Sequence, residues 1–460
     1  MMKVALIRPP EVNPYWNTTR PSLGTSYISS YLKSRGIESK IFDANYNSWT
    51  EDLTVDLVVT YRPDIIGITA MTHEINKAHS IITALTKRLN NIPSVIGGCH
   101  ITALPQETLT EFHNFSYGIY GEGEETMLSL IECLRDKRET AVSAINGLVY
   151  RNNKQIFVNP PRTRLSSEAL SNLPYPDFGQ YFKNKSALSG KNDYYVMISS
   201  RGCPYNCIFC MQVLGRQVRR RSAESIVKEM EYAIEQYGTH TIYFLDEIFL
   251  FNDQLTYDIL ELMKQHKLPK RIRWRGLTRV NFVDEKLIRK VKEAGCFALE
   301  IGIEAGSNEV LKRINKQITV EQAEQAVKII KQAGIAVEAN FILGHPHETV
   351  ASVKSTIKLA AKLNPDAVAI GVMTPYPGTK IFEMAQRGEG GYRLLTRDWS
   401  KYDKYGGKAL ELEGLTISEL EKWQRLGLIY FYIRNFRILD LLKFILKYRK
   451  TIINLLKKKQ

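Results

Sequence analysis

The stretch YYVMISSRGCPYNCIFC, residues 194–210, decides how most of this chain should fold. Its first part, residues 195–199, is an uninterrupted run of apolar and small residues, which is typical of a buried strand. Gly202, Pro204 and Asn206 follow, and these residue types favour a loop over a helix. The stretch therefore predicts a strand that ends in a cysteine-rich loop.

Further strands of the same kind follow at intervals that leave room for helices. They are predicted at 241–245, 272–277, 298–303, 336–343 and 367–373, with helical patterns between them at 223–237, 284–294, 320–333 and 350–363. Together with the strand at 195–199 they make six βα units. Residues 194–390 should therefore form a partial (β/α)6 TIM barrel, whose active site lies at the C-terminal ends of its strands.

A second α/β region precedes the barrel. Strands are predicted at 4–7, 39–42, 65–69, 94–98 and 117–120, with helices between them. This alternation predicts a doubly wound, Rossmann-like parallel sheet over residues 1–140, which would bind a ligand at the carboxyl ends of its strands. The loop after the first strand, residues 8–14, lacks the Gly-x-Gly-x-x-Gly pattern, so NAD is not expected.

The remaining segments carry less regular patterns. Residues 141–193 are rich in Pro and are expected to be an irregular linker. Residues 391–460 are expected to be mainly helical and end in a basic tail, since residues 434–459 hold nine Lys and Arg and one acid. The net charge of +15 is therefore partly a property of the tail, and nucleic-acid binding is not expected.

The composition indicates a cytoplasmic protein. No apolar run approaches the ~18 residues that cross a bilayer, and the first residues lack a signal-peptide pattern. Six cysteines in 460 residues do not suggest a disulfide scaffold. Cys99, Cys133 and Cys296 are expected to be small buried apolar residues.

Cys203, Cys207 and Cys210 form a candidate metal site. Three thiolates leave one iron of a 4Fe–4S cluster without a protein ligand, and an open iron can bind a substrate. A zinc site would need a fourth ligand, and the nearest histidine in sequence is His240. A chance grouping of cysteines is the other alternative. Their spacing in a loop after a strand favours the cluster.

The Cys-x-x-x-Cys-x-aromatic-Cys spacing resembles the signature of radical S-adenosylmethionine (radical SAM) enzymes. The resemblance covers about residues 195–390. It implies that SAM chelates the open iron, and that one electron splits SAM into methionine and a 5′-deoxyadenosyl radical. It also implies that SAM is bound at Phe209, Asp246, Glu247, Glu304, Ser307, Tyr376, Pro377 and Gly378.

Segments near the strand ends of the first region resemble the cobalamin-binding domain that is fused to many of these enzymes. The matching residues are 21–24, 68–72, 97–105 and 120–124, where glycines would let the backbone approach a flat corrin. The resemblance implies cobalamin contacts at Leu23, Gly24, Thr69, Met71, Gly97, Gly98, His100, Gly121, Glu122 and Gly123.

One departure from that domain concerns the cobalt ligand. Cobalamin domains of the methionine-synthase type carry Asp-x-His-x-x-Gly, and no such motif follows the first strand here. His73 and His100 do not have its spacing. Both the lower axial ligand and the retention of cobalamin therefore stay open.

These resemblances imply an enzyme that cleaves SAM at a 4Fe–4S cluster and, with cobalamin, methylates an unactivated carbon. A non-methylating cyclisation or ring rearrangement is the alternative with the same cofactors. A cobalamin- or cluster-binding sensor without turnover is the alternative from another class. A methylthiotransferase is not expected, because there is no second cysteine triplet.

The expected partners are a small-molecule or lipid-like substrate and an electron donor such as a flavodoxin or a ferredoxin. No side chain stands out as a general acid or base. The basic tail over residues 438–460 predicts either a helix packed on the barrel or peripheral contact with an anionic membrane.

Overall fold

The first part of the chain forms a seven-stranded sheet. The structure is a computed structural model that describes residues 2–11, 20–90, 92–137, 139–182, 194–443 and 446. The strands of this sheet are β1 (Lys3–Arg8), β2 (Glu38–Asp43), β3 (Ile65–Thr69), β4 (Ser94–Gly97), β5 (Tyr117–Ile119), β6 (Leu148–Asn152) and β7 (Gln155–Val158). Their order is β2-β1-β3-β4-β5-β6-β7, and all pairs among β1–β5 are parallel.

Helices cover both faces of this sheet. They are α1 (Leu23–Ser34), α2 (Ala44–Asn47), α3 (Glu51–Tyr61), α4 (Ile75–Arg88), α5 (Cys99–Ala103), α6 (Pro105–Glu111) and α7 (Glu124–Arg135). Successive side chains of a strand point to opposite faces. Accordingly, Val4 and Leu6 pack in one core with residues of α1 and α7, whereas Ala5 and Ile7 pack in another with residues of α3 and α4. The predicted doubly wound sheet is confirmed.

The hairpin formed by β6 and β7 corrects the expectation that the segment after residue 140 is irregular. Strand β6 pairs antiparallel with β5 and extends the first sheet. The turn places Asn153 and Lys154 at φ of 46° and 70°, the left-handed conformation that a two-residue hairpin loop requires. No glycine marks this turn, and the strands are short, so the sequence carries little local signal for it. Residues 183–193 of the expected linker lie outside the described residues.

The second part of the chain forms the partial barrel. A short helix, α8 (Ser167–Ser171), precedes it. The strands are β8 (Tyr195–Met197), β9 (Ser200–Arg201), β10 (Arg219–Arg220), β11 (Thr241–Phe244), β12 (Arg273–Thr278), β13 (Cys296–Glu304), β14 (Ala336–Leu343) and β15 (Ala367–Val372). Six of them form a parallel sheet in the order β15-β14-β13-β12-β11-β8, which confirms the six predicted units.

Polar N-caps set where the barrel helices begin. The helices are α9 (Ala223–Tyr237), α10 (Gln254–Gln265), α11 (Glu285–Glu293), α12 (Asn308–Arg313), α13 (Val320–Gln332), α14 (Val350–Leu363) and α15 (Lys380–Arg387). Ser222, Asp253, Asp284, Thr319 and Thr349 each precede a helix and accept a hydrogen bond from one of its first backbone N–H groups.

The C-terminal part is less purely helical than expected. An antiparallel pair, β16 (Tyr392–Leu394) with β17 (Leu410–Leu412), precedes the helix α16 (Ile417–Arg434). Gln424 on α16 donates to the carbonyl of Ile370 on β15 at 2.7 Å, so this helix packs on the barrel. Of the basic tail at 438–460, only residues 438–443 and 446 are described. Within the described residues, no helix is both long and apolar enough to cross a membrane.

Candidate active site

The cysteine loop is closed at its base by a two-stranded ladder. Strand β9, before the loop, pairs antiparallel with β10, after it, so that Arg201 lies opposite Arg219. Gly202 has φ of +99°, and a side chain there would collide with the carbonyl of Gln217. The Cys203 N–H donates to the Gly215 carbonyl at 3.0 Å. The loop therefore needs a glycine where it leaves the strand.

The spacing of the three thiols suits a cluster better than a single ion. All three cysteines are free. Cys210 is exposed, and its thiol interacts electrostatically with those of Cys207 and Cys203. As a group, however, the Sγ atoms do not lie within 4.8 Å of one another. Three thiolates on one zinc lie roughly 3.8 Å apart, since the Zn–S bond is about 2.3 Å.

Buried Asp246, after β11, braces the end of β8. It accepts hydrogen bonds from the Ser199 N–H at 3.0 Å and from the hydroxyls of Ser199 and Ser200 at 2.8 and 2.7 Å. Burial raises the pKa of Asp246 to about 6. Glu247 accepts from the Gly202 N–H at 3.3 Å. The structure thus gives Asp246 partners within the protein and places Glu247 at the cysteine loop.

Strand β13 ends in an unusual conformation at Glu304, with φ of 72° and a register shift against β14. Its carboxylate pairs with the Lys316 ammonium at 2.7 Å, and both side chains are buried. The Lys316 ammonium lies 5.9 Å from the Phe209 ring centroid. Ser307, also expected to bind SAM, is the N-cap residue of α12 but makes no side-chain capping bond. Phe209 and Glu304 are therefore brought together around Lys316.

The loop after β15 touches both parts of the chain. A side chain at Gly378, which has φ of 79°, would meet Ala103 at 3.2 Å and Met211 at 3.9 Å. Tyr376, two residues before, packs against the core on the α3 and α4 face of the first sheet. The segment from Tyr376 through Pro377 to Gly378 thus lies where the barrel meets the end of α5.

The strand ends of the first sheet leave backbone open for a flat ligand. Among the described residues, side chains built on Gly24 and Gly121 would meet no atom within 4 Å, and one on Gly97 would meet only a carbonyl oxygen at 4.0 Å. Gly98 differs, because a side chain there would lie 2.6 Å from the hydroxyl of Thr69. Three of the predicted cobalamin contacts thus present open backbone, and Gly98 is required for local packing.

Other predicted cobalamin contacts surround this edge. Leu23 begins α1, Gly123 precedes α7 and packs on Ile28, and Met71 is 53% exposed. His100 is 1% exposed, and within the described residues neither ring nitrogen has a hydrogen-bond partner. Burial lowers the pKa of His100 to about 4, so the ring is neutral at pH 7 and free to bond a ligand amide.

Glu122, one of the predicted cobalamin contacts, turns its carboxylate toward the barrel. It pairs with Arg219 at 2.7 Å and with Arg201 at 3.6 Å, and Glu124 pairs with Arg201 at 2.5 Å. Each of the four side chains is at most 7% exposed. Burial favours a raised pKa for Glu122, but the hydrogen bond from Arg219 and the charge of Arg201 outweigh it and lower the pKa. We call these four residues the interdomain clamp.

Sequence reasoning missed the cations around the cysteine loop. Arg201 and Arg219 flank the loop, and two more cations approach it: Arg279, which follows β12, and Lys316, which follows α12. A lone Arg or Lys carries no local pattern that distinguishes it from a solvated surface residue. Only the adjacency of Arg201 to the cysteines could have drawn attention to it.

The barrel interior is polar on adjoining strands. Tyr243 on β11 donates to Glu300 on β13 at 2.9 Å, and Asn340 on β14 donates to the same carboxylate at 2.8 Å. Arg275 on β12 pairs with both Glu300 and Glu338. The side chains of Glu300 and Glu338 remain 22% and 29% exposed. Since alternate residues of β14 pack toward the helices, these groups line an accessible barrel lumen.

Comparison with known families identifies the class of this protein. A model of the radical SAM superfamily matches residues 197–360, and a model of the B12 binding domain matches residues 17–131. The chain belongs to the radical SAM superfamily, in the group that carries a B12 binding domain. This confirms the predicted class and its cofactors, which are the iron–sulfur cluster, SAM and cobalamin.

Similar proteins cover nearly the whole chain. An uncharacterized methyltransferase of Pyrococcus horikoshii is 34% identical over 440 residues, 94% of this chain and 93% of that protein. The anaerobic magnesium-protoporphyrin IX monomethyl ester cyclase of Rubrivivax gelatinosus is 30% identical over 391 residues, 83% of this chain and 68% of that protein. The radical SAM methyltransferase TsrM of Kitasatospora setae, solved with cobalamin and a 4Fe–4S cluster, has the same fold, with a TM-score of 0.71, 20% identity and coverage of 92% and 85% of the two chains.

Proposed function

We propose that this chain is a methyltransferase that uses cobalamin and radical SAM chemistry to methylate a carbon of a small polar molecule. One observation carries the proposal. The cysteine loop of the barrel and the open strand ends of the first sheet meet at one interface, where a side chain at Gly378 would touch Ala103 and the interdomain clamp is buried. A radical and a methyl group can reach one substrate atom only if their sources share a cavity.

The residues that would hold the cofactors lie on both sides of this interface. Cys203, Cys207 and Cys210 would ligate the 4Fe–4S cluster, and the open backbone at Gly97 and Gly121 would accept the corrin. When bound, these groups and SAM supply the radical that removes a hydrogen atom and the methyl group that replaces it.

The protein's own side chains position the reactants. The Glu304 carboxylate, held by Lys316 at 2.7 Å, is a fixed acceptor for SAM hydroxyl or ammonium groups. Glu247, next to the loop backbone, is a second carboxylate near the thiols. Glu304 is buried, so its contacts with a cation would be stronger than at the surface, whereas Glu247 is exposed to solvent.

The barrel lumen favours a polar substrate over a lipid-like one. Arg275, Glu300 and Glu338 offer donors and acceptors that are still partly accessible. An alkyl chain placed against these groups would exclude water from their exposed atoms, and desolvating charged groups is unfavourable. A substrate with amide, hydroxyl or charged groups would replace the bonds to water.

The test uses the anaerobically reconstituted protein with dithionite in place of the flavodoxin or ferredoxin that we propose as its electron donor. We expect release of 5′-deoxyadenosine from SAM. Cys203→Ala should abolish it, whereas Cys296→Ala, at a buried cysteine outside the loop, should not. An intact cluster without 5′-deoxyadenosine would favour the sensor alternative.

Methyl-labelled SAM distinguishes methyl transfer from the cyclisation alternative. That alternative is worth testing because one of the similar proteins is a cyclase. Extracts of small polar metabolites should yield a product that is one methylene heavier than its precursor and carries the label. A product without label and with a lower mass would indicate ring formation instead.

We also infer that the C-terminal helix touches an anionic membrane surface. Exposed apolar side chains continue from α16 into the segment after it, with Ile433 at 55%, Phe436 at 88% and Leu439 at 73%. Basic residues follow in sequence through Lys459, and each contributes about 1 kcal/mol near such a surface. Deleting residues 438–460, or changing Phe436→Glu, should abolish sedimentation with phosphatidylserine vesicles. Unchanged sedimentation of both variants would refute this inference.

A further inference from the structure

Arg279 follows strand β12 and points its guanidinium at a thiol of the cysteine loop. Its Nη1 lies 3.7 Å from Cys207 Sγ, a hydrogen-bond distance for sulfur. The guanidinium carbon lies 3.5 Å from the ring centroid of Tyr205, which lies between the first two cysteines. A cation is therefore stacked inside the loop itself.

Two further hydrogen bonds fix the orientation of this side chain. Nε donates to Asn281 at 3.1 Å, and Nη2 donates to the backbone carbonyl of Lys316. The residue is 6% exposed. Because the planar guanidinium is held at each of its nitrogens, the donor to Cys207 cannot easily turn away.

The charge of Arg279 lacks a carboxylate partner. In the described part of the chain no Asp or Glu forms an ion pair with it, whereas Arg201, Arg219 and Lys316 nearby each have one. A buried charge needs compensation. The Cys207 sulfur faces Nη1 of Arg279 at 3.7 Å. A thiolate at Cys207 would supply the missing anion.

We propose that Arg279 is a positioning residue that tunes the cluster's reduction potential. It donates a hydrogen bond to the thiolate of Cys207 and balances part of the negative charge that one-electron reduction adds. Hydrogen bonds and positive charge at the sulfur ligands make a cluster easier to reduce. The electron comes from the external donor. The proposal rests on the cluster site above and not on methyl transfer.

The experiment is an EPR-monitored redox titration of the reconstituted protein without SAM. Arg279→Met should keep the cluster and shift its midpoint potential to more negative values. At a fixed potential, the ratio of reduced to oxidised cluster then falls about tenfold for each 59 mV of shift. Arg279→Lys keeps the charge but loses the fixed hydrogen bond, so its potential should lie between those of Arg279→Met and the wild type.

Two further variants keep the test decisive. Asn281→Ala retains the arginine but frees its Nε, and should give a smaller shift of the same sign. Arg313→Met removes an arginine that already pairs with Glu309, and should give none. Wild-type potential in Arg279→Met with full iron content would overturn the proposal. Another combination of results would also overturn it: loss of iron in Arg279→Met together with wild-type potentials in Arg279→Lys and Asn281→Ala. The arginine would then only support the fold.

Discussion

Replacing Glu124 by Leu should remove the shortest ion pair of the interdomain clamp, the one with Arg201, and so destabilise the protein. Arg201 and Glu124 are 5% and 6% exposed, so the variant leaves a buried guanidinium with less compensation. Breaking a buried pair costs about 3–5 kcal/mol. Glu122 still lies 3.6 Å from Arg201, so we expect the low end, about 3 kcal/mol. Chemical denaturation of the cofactor-free protein, followed by tryptophan fluorescence, measures the change.

A pair of matched controls separates burial from charge. Arg88 and Asp56 form an ion pair of the same 2.5 Å length, but their side chains are 47% and 61% exposed. Asp56→Asn should therefore change stability little, since exposed pairs contribute about 0–1 kcal/mol. The double variant Arg201→Met with Glu124→Leu should recover most of the loss, because no unpaired charge remains. Equal losses for Glu124→Leu and Asp56→Asn would refute the reasoning.

The remaining predictions concern backbone and protonation. Gly202→Ala should lower the iron content of anaerobically purified protein, because the added methyl collides with the Gln217 carbonyl; full iron content would contradict this. Gly98→Ala should destabilise the fold by more than the ~1–3 kcal/mol of backbone strain that Gly121→Ala costs, because only Gly98 also clashes with its neighbours; urea midpoints check the order. The folded-state pKa of Asp246, about 6 against an ordinary 3.8, means that wild-type stability falls as pH rises from about 4 to 6, by up to about 3 kcal/mol. Asp246→Asn should remove that slope in urea midpoints measured against pH, and an unchanged slope would assign it to another group.

The sequence predicted the elements that carry their own local signal. The strand Ala336–Leu343 and the helix Val350–Leu363 have the predicted bounds, because a buried apolar run and a capped amphipathic helix are recognisable one at a time. The hairpin at 148–158 was missed, since its stability depends on pairing with β5 as much as on its own turn.

The site was only partly predictable for a similar reason. Three cysteines close together are recognisable from the sequence alone. The role of Arg279, by contrast, depends on Cys207 and Lys316, which lie 72 and 37 residues away in the chain. Glu122 was predicted to contact cobalamin because its segment resembles the cobalamin-binding domain. Its carboxylate also pairs with arginines of the barrel, a contact that no pattern within the first domain could reveal.

The clamp also explains why two separately recognisable domains can act as one catalytic unit. Arg201 and Arg219 lie at the two ends of the cysteine loop, and they bind acids in the turn after β5 and at the first residue of α7. That turn lies at the same sheet edge as Gly97 and the open backbone proposed for cobalamin. A methyl group and a radical that must meet on one carbon tolerate little variation in distance. A flexible linker could not set that distance, but buried ion pairs at the base of the loop can. The clamp therefore holds the cysteine loop, and the cluster proposed on it, in a fixed position relative to the first domain as well as to the barrel.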